Sequence, residues 1–323
     1  MREAYDLACK VWPAHRHRFS RRDFTSPQLF ACLVVREMLG LSYRAAEALL
    51  RDAEDWLAEI GLEKAPDHNT LWRAFGTLIT ACRVDRALDL LAEKFQETGK
   101  LELSSKPLTI DSTCYERHHR SRHYERVCRK RGLQEGQKYG KTPQKAQETL
   151  RQVDRRRSRA VRQMPKLALA VASSCHMILA VKTRIGNGSD MPDFPLLLRA
   201  ATRRAKVRTV VADAGYDSEK SHYIARCELG VRSIIPPKIG RPTDKPPAGK
   251  YRRLMKQRFT RQADRKPYGQ RAQSETVNSM MKRNFGDAIR SIKPSRRKQE
   301  MLLRSLTHNI MLAANQHQQE KTG

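Results

Sequence analysis

No stretch of this 323-residue chain approaches the ~18 consecutive apolar residues of a membrane-spanning helix. Its first residues, MREAYDLACKVWPAHRHRF, lack the uninterrupted apolar core of a secretory signal. An intracellular, cytoplasmic protein is the expectation. The seven cysteines (Cys9, Cys32, Cys82, Cys114, Cys128, Cys175, Cys227) are odd in number and widely spaced, and none forms C-x-x-C. That argues against a disulfide framework or a zinc ribbon and for reduced thiols. His118, His119 and His123 stand near metal-ligand spacing without a Cys or Glu pattern beside them, and read as part of a basic surface loop. Acidic residues are scarce: 34 Asp+Glu face 64 Lys+Arg, for a net charge of +30 and a pI near 10.3. Solubility alone would ask for a magnitude of roughly 2–8 on a small domain. The excess implies a polyanionic partner, with nucleic acid first among candidates. A membrane surface fits less well, because the basic residues are spread along the chain instead of lying on one amphipathic helix.

What is present is enough apolar sequence, 39%, for one large domain and a smaller one, or two of medium size. Residues 1–100 read as a helical N-terminal domain. In FTSPQLFACLVVREMLG, apolar residues recur at helical spacing behind a Thr25 or Ser26 cap, with Pro27 in the first turn and Gly40 as the stop. LSYRAAEALL and DHNTLWRAFGTLITACRVDRALDLLAEKF supply further helices. A helix–glycine turn–helix pair in a basic chain fits a helix-turn-helix DNA reader. It fits equally a plain bundle docked on the next domain.

Beyond Gly99, LTIDSTCY reads as a buried strand. Residues 116–165 then carry sixteen lysines and arginines against five acids, an arm without a core that ends in the helical-looking RQVDRRRSRAVRQ. KLALAVASSCHMILAVKTRIGNGSD predicts a hairpin turning near Ser173 and Ser174. PDFPLLLRAATRRA predicts a helix and VRTVVADAGYDS a strand. SEKSHYIARCELG predicts a helix from Ser218 to Gly230, and VRSIIPPK a last strand. A second basic, proline-rich insertion covers 238–267, before a helix bearing Glu275 and a final amphipathic one. Three antiparallel strands followed by strand–helix units describe a mixed α/β sheet flanked by helices, the order of a ribonuclease-H-like domain.

Two acids stand out in that sheet. Asp111 sits inside its strand, where a buried charge needs a partner or a metal. Asp213 ends another strand, followed by small residues at the edge where open α/β sheets place ligands. Asp217 lies just before a helix and reads more readily as a turn or cap residue. A third acid, Glu275, lies in YGQRAQSETVNSMMKR, otherwise rich in positive charge. On a helix turning about 100° per residue, Tyr268, Arg271, Glu275 and Lys282 share an arc about 60° wide. Val277, Met280 and Met281 lie opposite, toward a core, and Gly269 makes the first turn the weakest.

D-S-T around Asp111, A-D-A-G-Y-D-S around Asp213, and Y-x2-R-x3-E-x6-K at Tyr268, Arg271, Glu275 and Lys282 together resemble bacterial insertion-sequence DDE transposases. The likeness runs from about residue 20 to 315. It implies a ribonuclease-H-like catalytic domain over 101–323 that cleaves and rejoins DNA strands at the ends of an insertion sequence. Asp111, Asp213 and Glu275 would be the catalytic triad and the ligands of two Mg²⁺ or Mn²⁺ ions. Such ions suit all-oxygen ligation and can clamp the attacking and leaving oxygens of an in-line displacement. Tyr268, Arg271 and Lys282 would contact DNA beside the cleaved phosphate. The implied partners are double-stranded transposon ends and target DNA, with a homodimer or larger complex joining two ends near the nucleoid. A ribonuclease-H-like nuclease without strand transfer, or a DNA-binding descendant without catalysis, would share most of these features.

Overall fold

The computed structural model describes residues 1–15, 19, 22–117, 164–186, 188–238 and 247–322. The basic arm at 116–165, with its three histidines and its terminal helix-like segment, lies outside the described residues except at its two edges. Residues 239–246 of the second insertion lie outside them as well.

The N-terminal region is helical as expected, with α1 (Arg2–Val11), α2 (Ser26–Met38), α3 (Tyr43–Asp52), α4 (Glu54–Glu59), α5 (His68–Leu78) and α6 (Ala81–Glu97). Local chemistry sets the boundaries. Thr25 and Gln28 form a reciprocal capping box at the start of α2, each satisfying the other's backbone N–H. Gly40, at φ +66°, lets the chain turn back before Ser42 caps α3. Asp67 caps α5 through the N–H groups of Asn69 and Thr70, and Thr80 caps α6, so the long run DHNTLWRAFGTLITACRVDRALDLLAEKF becomes two helices.

The sheet holds five strands: β1 (Leu108–Cys114), β3 (Pro165–Ala172), β4 (Ile178–Ile185), β5 (Thr209–Ala212) and β6 (Arg232–Ile234), in the spatial order β4-β3-β1-β5-β6. The first three pair antiparallel, and β1–β5 and β5–β6 pair parallel. This is the mixed sheet expected of a ribonuclease-H-like domain. Absent from the sequence pattern is β2 (Glu116–Arg117), which pairs with β7 (Ala288–Ile289) in a separate two-stranded ribbon.

All eight residues of β3 are buried, because helices cover both faces of the sheet. Ala168, Ala170 and Ala172 enter a large core that runs from Ala4 in α1 to Ala313 near the C-terminus. Leu167, Leu169 and Val171 enter a smaller one on the other face. There α11 (Ala272–Phe285) lays Val277, Met281 and Phe285, spaced four residues apart on one stripe, over β1 and β3. Met280, expected on that stripe, is only partly buried. The last helix, α12 (Pro294–Thr322), gives Leu303, Leu306 and Ile310 to the large core and Met301 to the smaller, and it packs on α1, α2, α5 and α6.

Two helices complete the described chain between β4 and β6, α7 (Asp193–Arg204) and α8 (Glu219–Tyr223). Ser218 caps α8, which continues as a π-turn over Ile224–Glu228 before Gly230 reverses the chain at φ +65°. Within the second insertion the structure adds α9 (Lys250–Thr260), where the sequence pattern shows only a basic stretch. Only Met255 of α9 is fully buried, so burial alone does not hold it. Acids do. Glu219 accepts the N–H groups of Tyr251 and Arg252 at the helix start, Asp217 takes two hydrogen bonds from Arg252, and Asp264 takes two from Arg258 and pairs with Arg232. Asp217 is fully buried. Burial raises its pKa, but the adjoining His222 ring and hydrogen bonds from Arg252 and the Lys238 N–H outweigh that and bring it to about 2.

Candidate active site

In the parallel pair β1–β5 the last matched residues are Ile110 and Ala212. Asp111 and Asp213 each follow at once, so two adjacent strands deliver two carboxylates at the same level of the sheet. Asp213 is exposed, and its carboxylate accepts the Ala214 N–H at 2.5 Å to start a short 3₁₀ turn, Ala214–Tyr216. Asp217, the other acid of this loop, is consumed by its contacts to α9.

Glu275 reaches the site because α11 packs on β1. A groove of about 470 Å³ is lined by Asp111, Ser112, Glu275, Asn278 and Lys282 among others. Asp213 is not part of that lining. A hollow of about 730 Å³ elsewhere, between α6 and α7, is lined by Asp89 and Arg204, which already pair with one another.

The expected single helix from Tyr268 to Lys282 is two. Tyr268 ends up on α10 (Arg265–Gly269), and α11 begins after Arg271. Bonds from each N–H to the carbonyl three residues back carry the chain across the junction, at Gln270, Arg271, Gln273 and Ser274. Glycine at 269 weakens the helix where the tighter turn begins. Tyr268 packs edge-on against Phe259 of α9, with ring centroids 5.2 Å apart. Lys282 stands 5.7 Å from the centre of the Tyr115 ring.

Arg271 links the groups. Its guanidinium pairs with Glu275 at 2.5 Å, and its charge also acts on Tyr268, Asp111 and Asp213. Burial pushes the Asp111 carboxyl above the usual carboxylate range. The Ser112 N–H and Arg271 oppose the rise, and Asp213 and Glu275 add to it. Burial also raises the Tyr268 hydroxyl, again with Arg271 opposing and Asp213 and Glu275 reinforcing. Glu275 is more than half exposed. An ion pair of that exposure contributes at most about 1 kcal/mol, so a phosphate can draw Arg271 away at little cost.

The donor set suits a hard divalent ion. The candidate ligands are carboxylate oxygens, and two of them face one groove. Asp111 is half-buried, short of countercharge, and holds a proton more tightly than a free carboxylate. Among the described residues, however, no three acidic, histidine or cysteine side chains stand close enough together to enclose a metal. Asp111 and Glu275 line one groove, and the charge of Arg271 acts on both as well as on Asp213.

One polar neighbour is missing from the residues singled out by sequence. Asn278 donates from Nδ2 to Asp111 Oδ2 at 3.1 Å. The helical wheel places it near 280°, beside the arc of Arg271, Lys282 and Glu275, and that position is the one signal the sequence carries.

Neither the curated proteins nor the solved structures searched contain a match to this chain. No described helix is long and apolar enough to cross a membrane. The transposase DDE domain family matches residues 104–310, a span that takes in every described strand and the three candidate acids, and the chain belongs to that family.

Proposed function

We propose that the protein is a DNA transposase that cuts strands at the ends of its own insertion sequence and joins them to a target, using Asp111, Asp213 and Glu275. The observation that carries this reading is the level placement of Asp111 and Asp213 on neighbouring strands, with the helix bearing Glu275 laid against the same strand. With Mg²⁺ or Mn²⁺ bound by these carboxylates, the metal supplies charge neutralisation at the attacking and leaving oxygens of phosphoryl transfer.

The chain's own groups do the rest. Asp111 is anchored in the sheet, so its oxygens are held rigidly against the reacting phosphate. Arg271 can exchange its exposed carboxylate partner for a phosphate, which it grips with two donors, whereas Lys282 offers a point charge. Tyr268, braced by Phe259, sits one turn before Arg271 to contact the same strand. The fold then divides by task, with 101–323 carrying the chemistry and 1–100 assisting in end recognition. Two ends must meet, so a dimer or larger assembly is the working form. Between β6 and α11 the described residues form helices and no strand.

Purified protein, labelled duplexes carrying the inverted repeats that flank its gene, and a supercoiled target test this directly. Mg²⁺-dependent nicking at the repeat ends together with covalently joined product is expected. Cutting with no joined product would leave a nuclease; binding with neither would leave a DNA-binding descendant.

The outer face of α9 supplies non-specific grip. Arg252 and Arg258 are held by buried acids, while Arg253, Lys256 and Arg261 are exposed along a shallow groove. Changing those three to alanine leaves up to three phosphates without a cation. The slope of log K against log salt for duplex binding should become shallower by roughly 0.9 for each phosphate no longer neutralised. An unchanged slope in a fluorescence-anisotropy titration would remove α9 from the DNA path.

A further inference from the structure

Asn278 is 8% exposed, lies on α11 one turn beyond Glu275, and lines the groove that holds Asp111 and Glu275. Its Nδ2 donates to Asp111 Oδ2 at 3.1 Å, and its Oδ1 is buried with no hydrogen-bond partner among the described residues. This orientation suits a metal ligand: a carboxylate ionised by a bound cation only accepts, so the NH₂ faces Asp111 and the oxygen faces away. An unpaired buried amide oxygen is unfavourable, and helices bury such groups only where something else compensates. A leucine would fill the same space without that cost.

We propose that Asn278 is a positioning residue of the metal site, its NH₂ fixing the Asp111 carboxylate in the orientation in which it would take a divalent ion, at the cost of an unpaired amide oxygen. The proposal rests on the reading of Asp111 and Glu275 as cation ligands. It assigns Asn278 the part that second-layer hydrogen-bond partners take in other metal sites, where they orient a ligand and raise its affinity. It also explains why a polar side chain occupies a position next to the apolar stripe of Val277 and Met281.

The test is Mn²⁺ binding to the full chain without DNA, followed by electron paramagnetic resonance or calorimetry. Wild type is compared with Asn278→Leu, Asn278→Gln and Asp111→Asn. Asn278→Leu is expected to weaken Mn²⁺ binding roughly 10–100-fold while the melting temperature holds or rises, since an unpaired polar atom has been removed. In Mg²⁺ titrations of cleavage, the same variant should need more metal for half-maximal rate and recover toward the wild-type rate at saturation. A purely structural asparagine would show neither shift. If Asn278→Leu does not fold, Asn278→Gln keeps both amide groups displaced by one methylene and should still bind Mn²⁺ more weakly than wild type. Wild-type affinity in the folded Asn278 variants, with Asp111→Asn impaired, would overturn the role of Asn278 and leave the carboxylate site standing. Wild type binding Mn²⁺ no better than Asp111→Asn would overturn both.

Discussion

Asp111→Asn should lower the rate of end cleavage by at least ~10²–10³, the scale on which a single preorganised electrostatic group at a reacting centre acts. The substitution keeps size and shape and removes one negative charge. It therefore separates the chemistry of the carboxylate from its packing in β1. Folding should not suffer. The native carboxyl is half-buried, and its burial already pushes its pKa up, so a neutral amide is easier to hold in the same place. DNA affinity without metal should hold or rise slightly, because one repulsive charge near the phosphate is gone. Single-turnover cleavage, a mobility-shift assay without metal and a melting curve together make the comparison. Cleavage at the wild-type rate would remove Asp111 from the mechanism, and with it the reading of the strand pair β1–β5 as the site. Loss of cleavage with a collapsed melting curve would instead make Asp111 a structural residue.

The second large effect is on stability. Arg304 is fully buried in α12 and donates to two carboxylates and two carbonyls at once: Nε to Glu37 of α2 at 3.0 Å, Nη2 to Glu300 at 2.9 Å, Nη1 to the Gly286 carbonyl at 2.9 Å and Nη2 to the Ala288 carbonyl at 2.9 Å. Glu37 keeps a second partner in Arg36, and Glu300 also accepts the N–H groups of Arg290 and Ser291. Arg304→Ala removes the shared cation, leaving Glu37 with Arg36, Glu300 with two backbone N–H donors, and the Gly286 and Ala288 carbonyls without this donor. Breaking one side of a buried ion network costs about 3–5 kcal/mol, a large share of the ~5–15 kcal/mol by which a domain is stable. Urea unfolding followed by circular dichroism should show the unfolding free energy lowered by that amount. By contrast Arg271→Ala, which breaks an exposed pair, should lower it by less than about 1 kcal/mol. A similar small change for Arg304→Ala would show that water reaches the network and that it does not hold α2 to α12.

The parts legible in the sequence are those written in apolar periodicity. The hairpin β3–β4, the strand β1 and the core-facing Val277 and Met281 follow from side chains that must leave water, while Phe285 completes that stripe in place of the expected Met280. Asp111 and Asp213 are conspicuous for the complementary reason, since each interrupts or ends such a run. What stays hidden is held by charge across long sequence gaps. Arg252 and Asp217, 35 residues apart, look like two more ions in a chain full of them, and α9 is invisible with them. Arg304 is likewise one of many arginines, and nothing local marks it as buried. The split between α10 and α11 turns on one glycine and a tighter hydrogen-bond pattern. Asn278 is hidden because its meaning lies in a hydrogen bond to a residue 167 positions away.

The shared helix α12 has a consequence for how the protein is made. It is the last described element to leave the ribosome, yet the core of α1, α2 and α6 includes its Leu303, Leu306 and Ile310. Synthesis at roughly 5–20 residues per second leaves the first helices waiting tens of seconds for their closing partner. β1 waits as well, until residues 165–172 emerge to pair with it. A chain interrupted upstream of residue 294 would lack Leu303, Leu306 and Ile310 and leave the large core open where α12 packs on α1, α2 and α6.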